Sequence, residues 1–296
     1  MRLRNPETRQ WIEYVPGLPN DTFVSYGGPN FKPERKKLHK KILQQVLSDC
    51  TKDKKKQAIM TMGGPASGKS FALKSLDTSG FVHIDSDAIK GLLPEYLVAI
   101  EAHARNAASM VHDESSELAE AALATAIQRG CNLVYDGTGK NAAKYARIID
   151  QLHDAGYSVR LIYVHVDPSV AVPRALDRAE RSGRYVPDYV IQEAYASIPY
   201  NFAEIANRAD AWTLFDTTET PARLVASKES HQRPQVFKPM LLESFVSKYP
   251  QKAELKLNPR RNPVRNPVQI DAKAFEQALS SYLRSRSADD GDTGLS

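Results

Sequence analysis

The run Gly63-Gly64-Pro65-Ala66-Ser67-Gly68-Lys69-Ser70 constrains this chain more than any other stretch. It fits the pattern G-x-x-x-x-G-K-[ST] at every fixed position. An apolar run, Ala58-Ile59-Met60-Thr61-Met62, precedes it and reads as a short buried strand. Phe71-Ala72-Leu73-Lys74-Ser75-Leu76 follows with helical spacing. Strand, glycine-rich loop and helix together make a phosphate cradle, because backbone N–H groups and a helix N-terminus supply positive partial charge. The whole of Gly63–Ser70 is therefore the candidate ATP (or GTP) site. Lys69 is placed to reach the β/γ-phosphates, and the Ser70 hydroxyl to ligate Mg²⁺. An ordinary strand–helix turn would need neither Lys69 nor Ser70.

Around this loop the apolar runs are short and nearly continuous. They fall at Phe81–Ile84, Cys131–Tyr135, Val159–Val166 and Trp212–Phe215. Helical spacing separates them: Leu92 to Arg129 reads as one long helix, and Asn141 to Ala155 as another. Asp167-Pro168 opens a further helix, in which Pro173 predicts a kink or a late start. This order predicts an α/β fold with a parallel sheet covered on both faces. Residues 33–220 read as that domain. Residues 1–32 read as an irregular arm with a short strand at Thr22-Phe23-Val24, and 221–296 as an extension. Within the extension lie a Pro/Arg linker at 257–268, a last helix from Asp271 to Leu283 and a disordered tail.

Formal charge +5 is modest, and no stretch approaches the length of a membrane span. Cys50 and Cys131 have no zinc spacing and imply no disulfide framework, so a reducing cytoplasm is the expected setting. The helix from Glu34 carries Arg35, Lys36, Lys37, Lys40 and Lys41 opposite its apolar stripe. Those cations read as a solvated face, with a nucleic-acid surface as the alternative.

In parallel sheets ligands bind beyond the carboxyl ends of the strands. Here those ends carry Asp85 and Asp87, then Asp136, then Asp167. Asp87 is the candidate base for a hydroxyl acceptor, and Asp136 the candidate Mg²⁺ ligand alongside Ser70. Helix capping is the alternative for Asp85 and Asp87, and a turn before Gly137 for Asp136. Downstream, Arg174, Arg178, Arg181 and Arg184 recur at helical spacing, and 174, 178 and 181 share one face. Such a row needs an anion opposite; a transferred phosphoryl group meets that need. Ser182-Gly183 supplies a joint for a closing lid.

With these residues in view, the chain resembles the zeta-toxin family of P-loop kinases over roughly residues 33–217. The likeness rests on Gly63–Ser70, His83-Ile84-Asp85-Ser86-Asp87, Asp136-Gly137-Thr138-Gly139-Lys140 and Ser182-Gly183-Arg184-Tyr185-Val186-Pro187. The resemblance implies a five-stranded parallel sheet of order 2-3-1-4-5. It also implies transfer of phosphate to UDP-N-acetylglucosamine, and a neutralising antitoxin. By the same likeness Asp87 is the base, Lys69 and Ser70 bind nucleotide and metal, and Glu120 and Thr138 contact the acceptor. Arg184 is the second lid arginine, and either Arg174 or Arg178 is the first. Lys140 stands where the family often has Arg, and Asp136 where it often has Glu. Lys90, one turn past Asp87, joins the candidate acceptor contacts. A kinase of nucleic-acid hydroxyls and a non-catalytic ATP-binding regulator are the alternatives.

Overall fold

The computed structural model describes residues 2–4, 11–13, 17–51, 55–74, 76–104, 106–182 and 185–250, with backbone alone at 2–4, 11–13, 74 and 180–182. Arg184, the 257–268 linker and the helix expected from Asp271 lie outside the described residues, as do Gly183 and the tail.

The sheet is built from β1 (Gln57–Met62), β2 (Val82–Asp85), β3 (Leu133–Asp136), β4 (Ser158–His165), β5 (Ala211–Asp216), β6 (Arg223–Lys228) and β7 (Gln235–Val236). Their spatial order is β2-β3-β1-β4-β5-β6-β7. The first five pair in parallel, in the implied order. Two antiparallel strands, β6 and β7, extend this edge. The sheet is thus seven-stranded and mixed, not five-stranded and parallel. Sequence beyond Pro221 carries these strands without the long crossovers that mark parallel pairing.

Alternation along β1 shows how both faces are filled. Ala58, Met60 and Met62 join the large core cluster, while Ile59 joins a smaller one on the opposite face with Leu73, Val134 and Ile162. All eight residues of β4 are buried, as a central strand covered on both sides requires. The helices are α1 (Pro33–Val46), α2 (Lys69–Lys74), α3 (Ser86–Lys90), α4 (His112–Arg129), α5 (Ala142–Asp154), α6 (Pro168–Ser182), α7 (Asp188–Ser197) and α8 (Pro239–Lys248), with shorter turns between. Gly130 ends α4 in the left-handed region, at φ +73°.

Four expectations are corrected. The long helix from Leu92 is broken into Pro94–Glu101, Ala107–Met110 and α4, with His103 at φ +54° in the first break. Thr22–Ser25 is a helical turn, because the Asp21 side chain accepts the Val24 N–H as an N-cap. Helix α6 begins at Pro168 and runs through Pro173, so it does not start late. Finally, Cys50 and Cys131 are joined in a disulfide, with Cα atoms 5.1 Å apart. It ties the segment after α1 to the entry of β3, at the opposite end of that strand from Asp136.

The basic face of α1 is also not uniform. Arg35 is buried and gripped by two carboxylates. Its Nη1 and Nη2 donate to Glu95 at 2.8 and 2.9 Å, and its Nε and Nη2 donate to Glu114 at 2.5 and 2.7 Å. His39 Nε2 lies 2.6 Å from Glu114 Oε1. Burial alone would raise Glu114, yet the hydrogen bonds from His39 and Arg35 bring it down to about 2. Arg35 therefore fastens α1 to α4 and is not part of a surface for nucleic acid.

Candidate active site

Because β1 to β4 run parallel, their carboxyl ends converge on one cavity of about 1240 Å³. β1 delivers Gly63–Ser70, β2 delivers Asp85 and α3, β3 delivers Asp136, and β4 leads into Asp167 and α6.

Neighbouring elements hold the phosphate loop. Gly63 N–H donates to Thr138 O at 2.9 Å, and Tyr195 OH donates to Pro65 O at 2.7 Å. Thr217 Oγ1 lies 3.0 Å from Ser67 O and 3.1 Å from His165 O. Gly63 has φ +152°, and a Cβ there would sit 2.6 Å from Val164 O, so only glycine fits. Lys69 Nζ donates to Gly63 O at 2.8 Å and Gly64 O at 3.3 Å, folding over the loop. Ser67 Oγ is buried and has no hydrogen-bond partner among the described residues. A phosphate oxygen would satisfy that hydroxyl, so the loop fits a nucleotide phosphate.

Asp85 and Asp136 stand opposite each other in the β2–β3 register. Asp85 is the N-cap of α3, accepting the Asp87 N–H at 2.8 Å. The capping alternative thus holds for Asp85. Burial, with Asp136 and Asp87 nearby, pushes its carboxyl up to about 6. Asp136 Oδ1 accepts from Thr61 Oγ1 at 2.5 Å. Asp87 lines the cavity and accepts from the buried Lys90 Nζ at 2.7 Å. The hydroxyl of Ser70 and the carboxylate of Asp136 both line the cavity and are hard oxygen donors of the kind that fit Mg²⁺. Among the described residues no group of three or more His, Cys, Asp or Glu could hold a metal ion.

Lys90, Thr138 and Lys140 line the cavity, as expected of acceptor contacts, and so do His112, Ser116, Tyr135 and Lys144. Glu120 is not among the lining residues. It accepts from Lys144 Nζ at 2.7 Å and so sits behind it. Lys140 Nζ donates to Glu193 at 2.9 Å. Burial, then the repulsion of Lys90, lowers the His112 pKa. On α6, Arg174, Asp177 and Arg178 all face the cavity, so both candidate first lid arginines reach it. Asp167 accepts the Ser169 N–H at the start of α6 and pairs with Lys248 of α8. Burial opposes these bonds, but together they bring Asp167 to about 2.

Thr61, Lys144, Tyr195, Thr217 and Lys248 were not legible as site residues. Thr61 hides in an apolar run, and the others meet the site only through long-range contacts. Lys144, the third residue of α5 after the Asn141 cap, carried the one usable signal: a cation one turn past the Thr138–Lys140 turn.

A nucleotide-phosphate cradle, an acidic strand end and an arginine-bearing helix around one cavity define a P-loop kinase. The family model described as zeta toxin matches residues 40–222, more than half of the chain. The chain belongs to the zeta toxin family. No match was found among curated proteins. Among solved structures, a chain of AvrRxo1-ORF1:AvrRxo1-ORF2 with sulphate ions aligns over 92% of this chain and 92% of that one, at 20% identity and TM-score 0.61. The same complex with ATP aligns over 90% and 92%, at 18% identity and TM-score 0.62. A chain of the PezAT chromosomal toxin–antitoxin system of Streptococcus pneumoniae aligns over 86% and 97%, at 16% identity and TM-score 0.54. At these identities the likeness establishes the fold. Among the described residues no helix is long and apolar enough to cross a membrane.

Proposed function

We propose that this P-loop phosphotransferase moves the γ-phosphoryl group of ATP to a hydroxyl of a nucleotide-sugar, with UDP-N-acetylglucosamine as the first candidate. ATP is the donor, as in the AvrRxo1 complex solved with ATP. The observation that carries the reading is Asp87, a carboxylate aimed into the same cavity as the phosphate loop. The acceptor oxygen attacks the γ-phosphorus, its proton passes to Asp87, and the bond to the β–γ bridging oxygen breaks with its electron pair leaving on ADP. Mg²⁺, held by Ser70 and Asp136, would neutralise charge between the β- and γ-phosphates. Lys69, Arg174 and Arg178, with Arg184, would grip the moving group. Thr138, Lys140, Lys90 and Lys144 would hold the acceptor, with Glu120 orienting Lys144.

The cytoplasm, where ATP is made, is the proposed setting, although Cys50 and Cys131 are joined in a disulfide and so lend it no support as free thiols. An antitoxin partner is proposed from the family and from the toxin–antitoxin neighbour. The test is incubation with γ-labelled ATP, Mg²⁺ and separate nucleotide-sugars, nucleosides, cofactors and oligonucleotides. Label on a nucleotide-sugar supports the reading. Label on oligonucleotides alone moves the acceptor to nucleic acid, and no label on any hydroxyl contradicts phosphotransfer.

A further inference from the structure

Thr61 is the buried polar exception in β1. It is fully buried among apolar residues of a strand whose other polar residue, Gln57, is half-buried at its start, and it lies two residues before the phosphate loop. Its hydroxyl is nonetheless fully engaged. Oγ1 donates to Asp136 Oδ1 at 2.5 Å and accepts the Gly137 N–H at 3.1 Å. The Thr61 carbonyl accepts from Tyr145 OH at 2.7 Å, so the residue is pinned on its backbone side as well. A hydroxyl has one proton to give. The carboxylate is the nearer of its two acceptors, Gly137 O lying at 3.2 Å, and a lone pair takes the N–H that begins the turn after β3. One side chain thus sets both the rotamer of Asp136 and the start of the Gly137–Lys140 turn.

The arrangement matters because Asp136 is crowded. Asp85 stands beside it in register, and two neighbouring carboxylates repel. Left to itself, Asp136 would turn away from Asp85. A hydrogen bond to a charged acceptor holds it in place and leaves Oδ2 as the oxygen available to a cation. Valine has the same shape as threonine without the donor, so sterics do not explain the residue.

We propose that Thr61 is the positioning residue of the donor-side cation site, fixing Asp136 in the cavity it shares with Ser70. This rests on the reading of Asp136 as a Mg²⁺ ligand. The experiment uses the full chain as wild type, Thr61→Val, Thr61→Ser and Asp136→Asn. Binding of Mn²⁺, as a paramagnetic substitute for Mg²⁺, is titrated in the presence of a non-hydrolysable ATP analogue. Analogue binding without metal and thermal unfolding are measured in parallel. Thr61→Val is expected to weaken Mn²⁺ binding roughly 10-fold, the scale of one hydrogen bond to a charged group. Metal-free analogue binding stays within about twofold, and Thr61→Ser restores Mn²⁺ affinity. Wild-type Mn²⁺ affinity in Thr61→Val, with Asp136→Asn impaired, overturns the positioning role alone. Wild-type affinity in Asp136→Asn overturns the metal reading beneath it. Equal loss of metal-free analogue binding in Thr61→Val assigns Thr61 to the loop itself and also overturns the proposal. If Thr61→Val does not fold, Thr61→Ser decides: a weakened Mn²⁺ affinity in that variant contradicts the role.

Discussion

The two halves of the cavity are made of different material. The donor half, Gly63–Ser70, is backbone anchored from outside by Thr138, Tyr195 and Thr217, and Ser67 within it is 1% exposed. The proposed acceptor half is made of side chains on α3, α5 and the turn after β3. There the Asp87 side chain is 55% exposed, and Lys140 and Glu193 are 49% and 58% exposed. A backbone cradle recognises what all nucleoside triphosphates share and tolerates no substitution at Gly63. Side-chain tips can be exchanged without disturbing the sheet. On the proposed reading the fold settles the donor, and a few side chains that can be replaced without disturbing the sheet choose the acceptor.

The sharpest way to break this contrast is Lys69→Ala. It removes the cation that folds over the donor loop, and transfer is expected to fall about 10²–10³-fold, as when a preorganised charge-stabilising donor is lost. Steady-state kinetics with saturating acceptor measures it. Unchanged turnover would mean that the loop does not carry the transferred phosphate.

Next in size is the support beneath the acceptor half. Helix α4, which brings His112 and Ser116 to the cavity, is held by the buried Arg35–Glu114 pair. Glu114→Gln leaves a buried guanidinium short of one charge and is expected to cost about 3 kcal/mol in urea unfolding at pH 6. The pH dependence follows from the depressed Glu114 pKa, about 2 against an ordinary 4.5. As pH falls through that window the unfolded chain takes up the proton first, so stability present above pH 4.5 drains away towards pH 2. Glu114→Gln should flatten part of this slope. A wild-type slope in the variant would show that the pair does not anchor α4.

The smallest effect is expected for Lys140→Ala. Its pair with Glu193 is solvent-exposed, so acceptor KM should rise only two- to tenfold while the KM for ATP stays put. Equal rises in both would erase the distinction between the halves.

The same contrast explains what sequence could show. The donor half was legible because it is contiguous: eight residues, the strand before them and the helix after them. Strand ends at Asp85, Asp87 and Asp136 followed from short apolar runs stopping at carboxylates. Arg35 was misread because its partners lie 60 and 79 residues away, and a cation on a helix reads as solvated until they are seen. For Glu120 and Lys144, 24 residues apart and paired, the obstacle is similar: neither local pattern says that Lys144 is the one lining the cavity. Strands β6 and β7 escaped notice because antiparallel additions need no crossover helix to announce them.

The central claim is that the Asp87 carboxylate accepts the acceptor's proton across a cavity shared with ATP. Asp87→Asn keeps the shape and the contact with Lys90 while removing the base. γ-Labelled phosphate transfer by this variant, measured beside its binding of ATP, tests the claim most directly. Transfer reduced about 10²–10⁴-fold with ATP affinity retained is the predicted result. A variant that binds ATP and still transfers label at most of the wild-type rate would contradict it.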